Sequence, residues 1–171
     1  FNLDDTSQIT NYVMDARVYL SRTDKKYDMI FGDMFSATGE TPFHLSTAEY
    51  YSLLREHLTE DGIFILNFVG IPSMEPPSLT GSVVKTLLHT FPNTRAFALA
   101  KSDPSALQNI LFISRNGTTQ IDVDRTSITH VNGSTVAIED LSWELRNYQL
   151  ESEILLTDDR APVEYLASKQ Q

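Results

Sequence analysis

The stretch Tyr27-Asp28-Met29-Ile30-Phe31-Gly32-Asp33 decides the fold. It is a short apolar run bounded by charged residues, the pattern of a strand buried on both faces inside a parallel sheet. An acid stands at its carboxyl end. In open α/β sheets, ligands bind outside the carboxyl ends of the strands. Asp33 and the loop from Met34 to Pro42 therefore occupy the place where chemistry is usually sited.

The pattern extends downstream. Ser46-Thr47-Ala48-Glu49 reads as a capping box, in which the Ser46 hydroxyl accepts from the Glu49 amide and the Glu49 side chain reaches back. A helix to about Leu58 should follow, with Tyr50, Leu53, Leu54 and His57 or Leu58 on one buried stripe. Asp61-Gly62 stops that helix, and Ile63 to Val69 supplies a second buried strand, completing a βαβ unit. Pro72, Pro76 and Pro77 enforce a loop, since they lack amide donors and fix φ. A helix from about Thr80 to Phe91 places Val83, Val84, Leu87, Leu88 and Phe91 on one face.

The remaining elements are shorter. Thr94 to Ala100 and Gln108 to Ser114 read as strands. Asn116-Gly117, between Ile113 and Ile121, and Asn132-Gly133, inside Ile128 to Ile138, are two-residue hairpin signals. Both pairs also match a glycosylation acceptor, but the turn is preferred in a cysteine-free chain. Glu139 to Tyr148 carries a helical pattern. Upstream, Ile9 to Met14 reads as a short strand ending at Asp15, and helical turns begin near Val18-Tyr19-Leu20.

Composition narrows the function. With 171 residues and 41% hydrophobic content, the chain fits a single globular domain. A formal charge of −10 repels a phosphate backbone and argues against nucleic acid, while leaving a cationic substrate compatible. The absence of cysteine excludes disulfides, a thiol nucleophile and thiolate metal sites, and fits a reducing, cytoplasmic setting. His44, His57, His89 and His130 are scattered without metal-ligand spacing, so no metal is expected. The longest apolar stretch, Gly62 to Gly70, is interrupted by Asn67 and is shorter than the ~20 residues of a membrane helix, so this segment should make no membrane contact. The start at Phe1, without an initiator Met, reads as a piece of a longer polypeptide.

Residue positions alone leave alternatives open. Asp15 and Asp33 are ligand-binding acids or strand-end and helix-capping acids. Asp158 and Asp159, ahead of Pro162, are a substrate-side pair or an ordinary helix start. His44 packs or caps in the Pro42 loop.

Taken in order, five groups of residues resemble spermidine synthases: Asp15-Ala16-Arg17-x-Tyr19-Leu20; Tyr27-Asp28-x-Ile30-x-x-Asp33-x-Phe35-Ser36; Pro42-Phe43-His44-Leu45-x-Thr47-x-Glu49; Gly62 to Asn67; and Leu156-Thr157-Asp158-Asp159-x-Ala161-Pro162-Val163-Glu164. The likeness is greatest to spermidine-synthase-like proteins fused to a membrane transporter segment. It spans most of the chain, with little from Pro92 to Tyr148. The resemblance implies a truncated, Rossmann-like methyltransferase sheet, mostly parallel with an antiparallel C-terminal hairpin. It implies aminopropyl transfer from decarboxylated S-adenosylmethionine to putrescine. On that template Asp15 and Ala16 hold the adenine, Asp33 accepts the amine proton, and Ser36, Asp158 and Asp159 lie on the substrate side.

Two departures qualify this function. Ser36 stands where the family carries a second Asp, and no G-x-G occurs anywhere in the chain. The chain is therefore expected to be the C-terminal portion of a synthase-like domain, inactive by itself. Its Met29-Ile30-Phe31 strand should present an unpaired apolar edge that recruits a second copy into a homodimer. Alternatives are an S-adenosylmethionine-dependent methyltransferase, or a non-catalytic module that binds a nucleoside or polyamine or mediates assembly.

Overall fold

A computed structural model describes residues 9–33, 42–98, 103–121, 127–129, 133–137, 143–144 and 148–170. Helix α1 (Ala16–Leu20) precedes strand β1 (Tyr27–Gly32), and a 3-10 turn at Phe43–Leu45 leads into α2 (Ala48–Glu56) and β2 (Leu58–Gly70). Helix α3 (Leu79–Thr90) connects β2 to β3 (Asn93–Ala98), which is followed by β4 (Gln108–Arg115). Short strands β5 (Ser127–Thr129), β6 (Thr135–Ala137) and β7 (Trp143–Glu144) precede the last helix, α4 (Val163–Ser168).

The main sheet runs in the order β1-β2-β4-β3-β7. β1 and β2 are parallel, with α2 between them, so the expected βαβ unit is present. β4 runs antiparallel to both β2 and β3. β1, β2 and β3 therefore point one way, and the reversed β4 is inserted between β2 and β3. This is the expected α/β, Rossmann-like sheet with an antiparallel hairpin, which is β3–β4 itself. β1 stands at the edge of the sheet.

Burial follows the period of two along β2: Phe64, Leu66 and Phe68 are fully buried, while Ile63, Ile65, Asn67 and Val69 are half-buried. The buried row meets the helices, with Phe64 against Tyr51 of α2 and against Phe91 at the end of α3. Val83 and Leu87 of α3, Ile110 and Phe112 of β4 and Leu166 of α4 complete this core. Each such side chain contributes roughly 1.5–3 kcal/mol by leaving water.

A buried carboxylate fastens the C-terminal segment to this core. Glu153 is 5% exposed and accepts from the Ser78 amide at 2.7 Å, the Ser78 hydroxyl at 2.9 Å and the Ser82 hydroxyl at 3.3 Å. These donors cluster at the amino end of α3, where aligned peptide dipoles favour negative charge. Gly81 leaves the room for it, since a Cβ there would lie 2.1 Å from Glu153 Oε1.

Several expectations need correction. β1 is not buried on both faces: Met29 and Phe31 are exposed, because no described helix covers that side of the sheet. Residues 9–14 form no strand, and a lone extended segment without a paired neighbour has nothing to satisfy its backbone. The cap of α2 is Thr47, not Ser46: its hydroxyl accepts from the Tyr50 amide, and Glu49 accepts from the Asp158 amide instead of reaching back. Asp61-Gly62 does not end a helix but lies within β2, at the register shift against β1. Asn116-Gly117 makes no hairpin from β4, because β2 and β3 already occupy both of its edges; Asn93 Nδ2 donates to the Gly117 carbonyl instead. The second hairpin exists as β5–β6, with Gly133 at φ +84, but its loop is longer than two residues. Within Glu139 to Tyr148, Trp143–Glu144 is strand rather than helix, pairing with the outer edge of β3.

Candidate functional site

β1 ends at Gly32, and the next residue, Asp33, is exposed to solvent at the carboxyl end of the strand. Its Oδ1 accepts from Asn67 Nδ2 of β2 at 2.8 Å, and Asn67 Oδ1 accepts in turn from Asn109 Nδ2 of β4 at 2.8 Å. Asp33 also lines a cavity of about 580 Å³ between the outer edge of β1 and residues 10–20. Tyr12, Ala16 and Tyr19 form the far wall, and Tyr50, Leu54 and Phe64 contribute apolar surface. The Tyr12 and Tyr19 rings lie 4.7 Å apart between centroids, and the Tyr19 and Tyr27 hydroxyls are 3.1 Å apart.

The cavity is electrostatically polar. Lys25 lies near the start of β1 and Asp33 at its end, so a cation and an anion are separated by a strand on the order of 20 Å long. The hydrogen bond to Tyr19 pushes the Tyr27 hydroxyl up to about 12, and burial does the same for Tyr50, so both phenols keep their protons at neutral pH. Among the described cavity residues, Asp33 is the one carboxylate.

A second cluster lies beside the cavity. Asp15 caps α1 by accepting from the Val18 amide at 2.9 Å, and its other oxygen accepts from His44 Nε2 at 2.8 Å. The His44 hydrogen bond, followed by the Val18 amide, holds the Asp15 carboxyl below its usual range. Arg17 grips Asp158 in a two-pronged pair at 2.8 and 2.5 Å, and Thr47 also donates to Asp158 at 2.7 Å. Arg17, then Thr47, depress the Asp158 carboxyl. The cluster joins α1, the start of α2 and the 157–160 turn.

No protein-family model matches the chain. It is 25% identical over 178 residues to a probable polyamine aminopropyl transferase of Bifidobacterium longum, an alignment covering 95% of this chain and 39% of that protein. It is 29% identical over 115 residues to an N-terminal histidine N-methyltransferase of Emericella nidulans, covering 63% of this chain and 20% of the other. Among solved structures, a probable spermidine synthase from Corynebacterium glutamicum superposes with a TM-score of 0.55 at 18% identity, over 67% of this chain and 40% of that one. The chain has the spermidine synthase-like, S-adenosylmethionine-dependent methyltransferase fold. It spans well under half the length of these relatives.

On this spermidine synthase-like fold, the site residues read from the sequence separate into three groups. Asp33 and Ala16 line one cavity. Asp15 is adjacent but engaged with His44 and the α1 amide, and Asp158 is neutralised by Arg17. Asp159 is exposed in the 157–160 turn, away from the cavity lining, and Ser36 lies outside the described residues. His44 caps no helix; its ring hydrogen-bonds the side chain of Asp15, which is the cap of α1. Sequence reasoning missed the role of Asn67 and Asn109 beside Asp33; the break that Asn67 makes in an apolar strand was the available signal. Among the described residues, no group of three His, Asp or Glu side chains could hold a metal ion, and no helix is long and apolar enough to cross a membrane.

Proposed function

We propose that Asp33 is the amine-binding, proton-accepting carboxylate of a transferase site, and that aminopropyl transfer from decarboxylated S-adenosylmethionine to a diamine of the putrescine class is the reaction it fits best. The observation that carries this is an exposed carboxylate at the carboxyl end of β1, opening onto a tyrosine-lined cavity. A protonated amine has no lone pair. Asp33 attracts the ammonium group, takes one N–H proton and leaves the nitrogen lone pair free to attack. When bound, the adenosyl cofactor supplies an electrophilic carbon next to a sulfonium.

The cavity suits a nucleoside. Tyr12 and Tyr19 offer aromatic surface for a base, and Ala16 keeps the wall beside them small. Asp15 lies one residue away with both oxygens already accepting hydrogen bonds, so it would contact the adenine only through its remaining lone pairs. Asp158 is already paired with Arg17 and Asp159 stands outside the cavity lining, so neither acid of that turn is assigned to the amine.

Methyl transfer from S-adenosylmethionine is the second reading, favoured by the similarity to a protein named as an N-methyltransferase. Calorimetric titration of the chain with both cofactors separates the two. S-adenosylmethionine carries a carboxylate that Asp33 would repel, so the decarboxylated form should bind more tightly, by about fivefold to tenfold at this exposed site. Equal or tighter binding of S-adenosylmethionine would favour methyl transfer, and binding of neither would overturn the nucleoside cavity.

A second copy of this chain is a competing occupant of the same place. Among the described residues no strand pairs with the outer edge of β1, whose Met29 and Phe31 are exposed and which has no proline to block pairing, so a copy docked there would take the place of a ligand in the cavity. Light scattering should give twice the chain mass, and Phe31→Lys should restore the monomer. A wild-type monomer at all concentrations would contradict the dimer.

A further inference from the structure

On β1 and β2 the open face of the sheet is apolar up to Asn67, while Arg115 of β4 and Arg95 of β3 lie farther across it. Phe31 of β1 is in register with Ile65 of β2, and Ile65 with Ile113 of β4, so these side chains share that face with Met29, Ile63 and Leu111. Asn67 interrupts the series. It is opposite Leu111, while Asn109 is opposite Val69, which places the two amides diagonally across adjacent strands. Asparagine is depleted in strands, and the aliphatic residues of the neighbouring rows would serve packing at both positions.

The hydrogen bonds show what the two amides do. A carboxylate only accepts, so the Asn67 NH₂ must face Asp33 Oδ1. That turns the Asn67 carbonyl toward β4, where it requires a donor, and Asn109 Nδ2 provides it. The chain of donors therefore has one direction, from β4 through β2 to a single oxygen at the end of β1. Among the described residues, no other group donates to the Asp33 carboxylate.

We propose that Asn67 and Asn109 are positioning residues that fix the Asp33 carboxylate, holding Oδ1 from two strands so that Oδ2 is the atom that meets the amine. The proposal rests on the reading of Asp33 given above and adds which residues set its geometry. Two inner strands bear the donors, so the sheet holds the carboxylate plane.

Side-chain amide NMR of the full 171-residue chain tests the relay without a ligand. On acidification, the Asn67 and Asn109 side-chain resonances should shift with one shared midpoint as Asp33 is protonated. Asp33→Asn should abolish both shifts, and Asn67→Leu, which suits the apolar face and should fold, should abolish the Asn109 shift. An Asn109 resonance that stays still in the wild type, or still moves fully in Asn67→Leu, overturns the relay. Calorimetry with putrescine reads its use. Asn67→Asp adds negative charge but replaces the donor, so positioning predicts binding weaker by about tenfold, whereas simple charge attraction predicts tighter binding and would overturn the proposal. An intact relay with putrescine binding unaffected by Asp33→Asn would instead overturn the Asp33 reading, and the chemical role of the relay with it.

Discussion

Glu153→Ala should destabilise the chain by about 3 kcal/mol or more. The carboxylate is 5% exposed and satisfies the Ser78 amide, the Ser78 hydroxyl and the Ser82 hydroxyl. Alanine would strand those donors in the interior, at a cost of roughly 1–3 kcal/mol for each one left unsatisfied, and would add a cavity. Against a total stability of about 5–15 kcal/mol this is a large loss. In a thermal melt it corresponds to a fall in Tm of roughly 6–12 °C for a domain of this size. Glu153→Gln should fall between, because its NH₂ must face one of the same donors. Gly81→Ala should act through the same contact, pushing the carboxylate off its partners. A Tm unchanged within a degree in Glu153→Ala would contradict the role of this carboxylate.

The β1-α2-β2 unit was legible because its signals are local: an apolar run, a helix stripe and a second apolar run, each within a dozen residues. What covers those strands was not. Met29 and Phe31 look the same in sequence whether a helix or water lies against them, and only the assembled sheet shows that they are exposed. The place of β4 was hidden for a related reason. Asn116-Gly117 encodes a turn, but the choice of partner is made by β2 and β3 closing on both edges of β4. The cap of α2 moved by one residue because Glu49 has a better partner in the distant Asp158 amide than in the Ser46 amide.

The candidate site divides along the same line. Asp33 was legible from its position after a strand, a rule that needs only the local pattern. Arg17 and Asp158 are 141 residues apart, and a pair of opposite charges at that separation leaves no trace in a local reading. Asp158 therefore looked as available to a substrate as Asp159. Asn67 and Asn109 are 42 residues apart and meet because β4 is inserted beside β2, a placement that the turn signals do not specify.

Asp33→Asn carries the largest expected functional effect. The substitution keeps the shape of the side chain and removes both its charge and its capacity to take a proton. Loss of a general base costs on the order of 10²–10⁴-fold in turnover. Loss of one charge near an exposed ammonium group weakens capture by roughly fivefold to tenfold. The most direct measurement is calorimetric titration of the chain with putrescine, wild type against Asp33→Asn. The account predicts weakened binding in Asp33→Asn with an unchanged melting temperature; putrescine binding equal to wild type would contradict it.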